Sequence, residues 1–291
     1  MRSWSEVGRP IAICAFPHQA EVMPAATSPL GWPSKFRDTD ACYFHPEPTE
    51  EVAAWWNRRF YATSGIFPED FVASLTAGTP GRTSGWFRHI DPIAESFEFD
   101  MTGVAADKTT IFFKHKRFEI ASGRVGDGET RVWPDWQEKG IGTQLMSNLV
   151  ELARRIELDR IEIEAQDIGR YAWLPLGFLP ERTAWTDRIV PPARRRLALA
   201  RMAGHIEEDA YRHAMLTLED TDARAIRRLM ELRQLVPGIA RDGSAVDVPL
   251  FKALMLQAGT DWFGSFNLRD RDSLALFEAW KAGHDARHRP K

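Results

Sequence analysis

Cysteine, net charge and long apolar runs are all scarce in this chain, and each scarcity closes off a class of protein. Cys14 and Cys42 are the only cysteines in 291 residues. That is too few for a disulfide scaffold or a cysteine-rich zinc site, and it is the usage expected of a reducing cytoplasm; a single bridge between the two is the one pairing they allow. The apolar run Ile11 to Phe16 is shorter than a signal core and is cut by Pro10 and Pro17. No run approaches the length of a membrane helix, so the expectation is a soluble, cytoplasmic protein with no membrane partner. A formal net charge of −3 leaves no basic footprint for nucleic acid. The eight histidines show no ligand spacing with carboxylates or cysteines, and His284 and His288, four apart, fall in a polar tail; no metal is expected. No Walker-type or Ser-His-Asp pattern and no internal repeat stands out.

What the chain does have is aromatic mass, eleven tryptophans and seventeen phenylalanines, most of which must be core. It also has one stretch with the grammar of an anion site. From Val132 the sequence runs Trp133-Pro134-Asp135-Trp136-Gln137-Glu138-Lys139-Gly140-Ile141-Gly142 and then into Thr143 and a segment whose apolar residues fall at 141, 145, 149, 152 and 156. Those spacings are helical with one buried face. A helix N-terminus carries unpaired N–H groups and partial positive charge, so it attracts phosphates. Two glycines one residue apart let backbone approach such an anion, and Gln137 and Lys139 can frame it.

The pattern Val-x-Pro-x-x-Gln-x-x-Gly-x-Gly entering an amphipathic helix resembles the acetyl-CoA motif of the GNAT superfamily of N-acetyltransferases. A second block, Leu158 to Ala165 alternating as a strand and leading through Gly169-Arg170-Tyr171-Ala172-Trp173 to Leu176-Gly177-Phe178, resembles the family's fifth strand, fourth helix and terminal Gly-Phe. The two blocks cover about residues 95–190. The resemblance implies an α/β fold: a mixed, mostly antiparallel sheet flanked by helices. It also implies acetyl-CoA or another acyl-CoA as co-substrate, with Val132, Trp133, Gln137, Glu138, Lys139, Gly140, Ile141, Gly142, Thr143 and Gln166 around it. Val132 and Trp133 are expected to offer backbone groups to the pantetheine arm where two strands splay apart. Glu129, on the feeding strand, is the first candidate general base, with a plain surface carboxylate as its other reading. The family's usual acid, a tyrosine four residues before the Gly of Gly-Phe, is replaced by Trp173, which leaves Tyr171, a water, or no acid. Glu162 and Glu164 share one strand face and either polarise an acceptor amine or face solvent. Arg170 either reaches a phosphate or is a surface residue.

Around this core, residues 1–49 read as a Pro- and aromatic-rich arm of extended, irregular chain. Residues 50–190 form the acyl-CoA-binding core, starting with a helix capped at Thr49. Residues 191–258 read as a mostly helical insertion, either a lid shaping the acceptor pocket or a homodimer contact. Residues 259–291 supply a last antiparallel strand and a C-terminal helix. The basic run Lys114 to Arg117 reads as a solvated strand end. The function expected is transfer of an acyl group from CoA to an amine of a small molecule or peptide. The alternative is a non-catalytic acyl-CoA sensor or partner-binding module on the same fold.

Overall fold

The computed structural model describes residues 35–126, 128–137, 139–166, 169–239, 244–257 and 260–288. Most of the expected N-terminal arm, with Cys14, and the cradle residue Glu138 lie outside those residues. Of the arm, Cys42–His45 is a regular strand, β1, paired in parallel with the next strand at the sheet edge. Phe36 and Phe44 are buried there, and burial pushes the Cys42 thiol up to about 12. Proline density in the preceding residues had suggested irregular chain; the alternation of Cys42, Tyr43 and Phe44 was the signal for a strand.

Thr49 accepts from the Val52 N–H at 3.4 Å and opens α1 (Glu50–Trp56), which runs on through a wider π segment, Asn57–Tyr61. Pro68 starts α2 (Pro68–Thr76), where Asp70 closes back on the Phe67 N–H. These helices press Trp55, Trp56, Phe60 and Phe71 onto Phe87, Phe97, Phe99 and Phe118 of the sheet, all essentially buried. At about 2–3 kcal/mol for each fully buried large side chain, this aromatic cluster is a principal source of stability.

The sheet continues with β2 (Arg82–Asp91), β3 (Ser96–Val104) and β4 (Thr110–Glu119), successive antiparallel strands. β5 (Arg124–Gly126) and β6 (Thr130–Val132) both pair with β4; α3 (Ile141–Arg155) and β7 (Arg160–Ala165) follow. Strand alternation puts Phe112, Lys114, Lys116 and Phe118 of β4 on the helix-covered face and Phe113, His115 and Arg117 on the other. Both lysines are buried: Lys114 donates to the Leu145 carbonyl at 3.0 Å and Lys116 to that of Gly128 at 3.2 Å. The basic run is therefore no solvated strand end, because its alternate members point into the protein. Asn148 of α3 donates to the Leu75 and Ala77 carbonyls at 3.0 and 2.8 Å, satisfying the C-terminal end of α2.

After β7 come α4 (Gly169–Ala172), a 3-10 turn at Leu174–Leu176 and β8 (Leu179–Pro180). The segment expected to be mostly helical holds α5 (Val190–Met202), α6 (Glu208–Glu219) and α7 (Ile226–Glu231). It also holds an antiparallel hairpin of β9 (Leu235–Ile239) and β10 (Ala245–Pro249), before α8 (Leu250–Gln257). Asp247 therefore lies in a strand, and the helix that follows begins only at Leu250. Pro237, Gly238 and Pro249 disguise the hairpin as loop, since they are rare in strands covered on both sides. β11 (Trp262–Asn267) lies antiparallel between β7 and β8, and α9 (Arg271–His288) packs Phe277 on Phe266. The result is a nine-stranded sheet in the order β1-β2-β3-β4-β5-β7-β11-β8, with β6 beside β4, parallel only at β1–β2 and β5–β7. Among the described residues no helix is long and apolar enough to cross a membrane.

Candidate functional site

The sheet is broken open in its middle. β5 keeps β7 company only through Arg124 and Val125, and β6 pairs with β4 alone. Opposite β4, the register passes from Arg117–Gly126 to Lys114–Thr130, three residues on one strand against four on the other. That offset is a β-bulge between Gly126 and Thr130, and it turns β6 away from β7. His115 N–H donates to the Glu129 carbonyl at 2.8 Å and Trp133 N–H to that of Ile111 at 3.0 Å, so residues 129, 131 and 133 spend their backbone groups on β4. By alternation, Thr130 and Val132 present theirs to the wedge. The backbone partner expected at Trp133 is corrected to Thr130 on this ground. Val132 leaves its N–H to the wedge, while its carbonyl accepts from Gln137 Nε2 at 2.9 Å.

At the wide end of the wedge stands the N-terminus of α3. Gly140 precedes it at φ 78°, a left-handed conformation that favours glycine. The helix has no side-chain cap and no acid in its first turn, so the Ile141, Gly142 and Thr143 amides face outward. Gly142 is helical, and a Cβ there would meet nothing nearer than Val132 Cγ2 at 3.9 Å. Packing therefore does not call for glycine at this position, although glycine costs a helix about 1 kcal/mol against alanine. A close approach from outside, as by a pyrophosphate, does call for it. Gln137 fixes the preceding loop rather than framing an anion directly. Lys139 is exposed with its Nζ 4.4 Å from the Trp136 ring centroid, free to swing over the helix end. The Ile141 side chain is core, which leaves only its amide for a ligand.

Wedge and helix end belong to one cleft of about 2410 Å³, whose far walls are β7, α4, the hairpin and α8. Gln166, exposed at the end of β7, and Tyr171 and Trp173 line it. The Tyr171 ring is half-buried against Phe251, 5.6 Å between centroids, and burial raises its phenol pKa, so it stays protonated and able to donate through the neutral range. Arg170 is not available to a phosphate: its guanidinium grips Asp261 at 2.8 and 2.9 Å, and its carbonyl accepts from the Trp262 indole at 3.0 Å. Glu162 is held by Arg160 at 2.8 Å and Arg124 at 3.6 Å, whereas Glu164 is exposed in the cleft. Glu129 also lines the cleft, exposed, and its carboxylate has no partner among the described residues.

The sequence reading missed one constellation on the bulge. His115 Nδ1 lies 2.5 Å from Asp100 Oδ1, and Arg88 Nε holds Oδ2 of the same carboxylate at 2.8 Å. The three residues come from β4, β3 and β2, and sequence spacing does not reveal that strand pairing sets Asp100 opposite His115. Among the described residues no group of three or more His, Cys, Asp or Glu is placed to hold a metal ion.

No family model matches the chain, and no curated protein matches it. Among solved structures it is similar to a nourseothricin acetyltransferase, with a TM-score of 0.26 and 20% identity over 29% of this chain. The match spans 51% of that enzyme, about half its length. A likeness that slight carries no weight for the site.

Proposed function

We propose that the protein is an acyl-CoA-dependent N-acyltransferase of the GNAT type, with an amine of a small molecule or peptide as acceptor. The observation that carries this reading is the continuity between the bulge-opened wedge and the uncapped, glycine-edged end of α3. One end offers amides to a pyrophosphate; the other offers the Thr130 and Val132 backbone to an amide-bearing arm. The motif resemblance from Val132 to Gly142 points the same way.

Bound acetyl-CoA supplies a thioester carbonyl and a thiol leaving group. The chain's part is orientation and proton movement. Amides of Ile141, Gly142 and Thr143 hold the diphosphate, with Lys139 closing from the side. Gln166 brackets the arm at the end of β7. Tyr171, kept protonated by burial, gives its proton to the departing sulfur, which removes the difficulty raised by Trp173. Glu129 and Glu164, both exposed in the cleft, draw a cationic amine into it. The test is release of free CoA thiol from acetyl-CoA on adding primary amines, with the acylated amine identified by mass. Thiol release tied to a new amide supports the reading. Saturable acetyl-CoA binding without turnover favours the non-catalytic sensor.

A further inference from the structure

The transfer needs a base for the acceptor amine, and the segment that feeds the cradle offers Glu129. Glu129 is poorly suited: its exposed carboxylate has nothing among the described residues to fix its direction. Its neighbour across the bulge is the opposite case. His115 is bound at both ends, through its backbone N–H to the Glu129 carbonyl and through Nδ1 to Asp100. Asp100 is nearly buried, with 8% of its side chain exposed, and its second oxygen is taken by Arg88. The imidazole keeps 30% exposure and the Arg88 side chain 35%; of these two exposed groups only the imidazole can give up its proton and act as a base.

The ring's orientation follows from its contacts. Nδ1 points along the sheet to β3. On the other side, Cδ2 faces the bulge, 2.9 Å from where a Gly128 Cβ would stand, and Gly128 lines the cleft. Nε2, bonded to Cδ2, is the ring nitrogen left over, on the sheet face away from α1, α2 and α3. With Nδ1 donating to a carboxylate, the neutral ring carries its lone pair on Nε2.

We propose that His115, turned and held by Asp100, is the general base that takes the proton from the acceptor amine at the bulge. This rests on the acyl-transfer reading. The amine nitrogen bonds to the thioester carbonyl carbon and one of its protons passes to Nε2. The carbon–sulfur bond then breaks, and the sulfur takes a proton from Tyr171. Solvent returns the His115 proton to the tyrosine, so the net exchange is one N–H for one S–H. Asp100 and Arg88 are positioning residues; Gly128 gives the ring its open side.

The groups around the imidazole set its pH behaviour: Asp100 and Glu98 on β3, Arg88 on β2, Arg117 beside it, Lys116 on the opposite face, Glu129 just before β6 and Arg131 on it. The hydrogen bond that His115 donates to Asp100 raises its pKa and outweighs burial, which lowers it. A base acts unprotonated, so turnover rises with pH through a value above the ordinary histidine range.

The experiment is thiol release from acetyl-CoA across pH 5.5–9, roughly the span over which a histidine base changes state. Acceptors are spermidine, a lysine-containing peptide and water, each with wild type, His115→Gln and Asp100→Asn, and acetyl-CoA affinity is measured by calorimetry in parallel. We expect His115→Gln to lose about 100-fold in turnover and to flatten the pH profile at unchanged acetyl-CoA affinity. In Asp100→Asn the rise should move to lower pH, because the raising partner is gone. Wild-type turnover and profile in His115→Gln would overturn the assignment, as would acetyl-CoA binding with no thiol release to any acceptor. Absence of acetyl-CoA binding by the wild type would instead sink the acyl-transfer reading itself, and this assignment with it. Thermal unfolding of both variants separates a lost base from a lost fold.

Discussion

Lys114 Nζ donates to the backbone carbonyl of Leu145 at 3.0 Å, tying the middle of β4 to the first turns of α3 directly behind the glycine-edged helix end. The amine is fully buried, and burial together with the neighbouring Lys116 pushes its pKa well below the usual lysine range. The strut that steadies the cradle is thus an uncomfortable one for a charge.

That discomfort has a measurable sign. Between the depressed folded pKa and the ordinary lysine value, the unfolded chain binds a proton that the folded chain does not, so this group's contribution to stability improves as pH rises. Lys114→Met removes the term. The stability of the variant minus that of wild type should therefore fall steadily from pH 7 to about pH 10, read from urea unfolding at each pH. A difference that does not change with pH would show that Lys114 is charged in the fold.

Gly142→Ala separates folding from binding at the helix end. With only Val132 Cγ2 within reach at 3.9 Å, the added methyl should stabilise the protein by about 0.5–1 kcal/mol through helix propensity. The same methyl should weaken acetyl-CoA by about tenfold, because it stands where the diphosphate approaches. A destabilised variant with full affinity would reverse the account of this glycine.

For Glu129 the expectation is a split between binding and turnover. Glu129→Gln should raise KM for spermidine several-fold and leave kcat within about twofold, since attraction at distance acts on the cation before reaction. A large fall in kcat with a flattened pH profile would return the role of base to Glu129.

The Arg170–Asp261 pair fastens α4 to the start of β11. Arg170→Ala should lower stability by about 1 kcal/mol, some 2–4 °C in Tm for a chain of this size, with acetyl-CoA affinity unchanged. Loss of affinity without loss of stability would mean that the guanidinium serves the ligand.

How much of this was legible from the residues alone differs from place to place. The helix that opens after Gly140 was, because glycines, proline and a 3.6-residue apolar period are local signals. The strand from Leu158 to Ala165 and the cap at Thr49 were legible for the same reason. The strands Leu235–Ile239 and Ala245–Pro249 were hidden because their described residues are mostly exposed and carry Pro237, Gly238 and Pro249. The inward turn of Lys114 and Lys116 was hidden because charge normally reports solvent, and here backbone carbonyls take its place. The Asp100–His115 contact is a matter of register between β3 and β4, which shifts by one residue between Gly103 and Val104 and which no short window contains.

The central claim is that the end of α3 binds the diphosphate of an acyl-CoA, and calorimetric titration of wild type and Gly142→Asp with acetyl-CoA tests it most directly. Aspartate in a helical first turn is favourable for folding, so the variant should remain folded. The account predicts saturable one-site binding to wild type and a loss of about 100-fold or more in the variant, roughly the 2.7 kcal/mol expected when a carboxylate replaces open space beside phosphates. Wild-type protein that binds no acetyl-CoA, or a variant that binds it equally well, would contradict it.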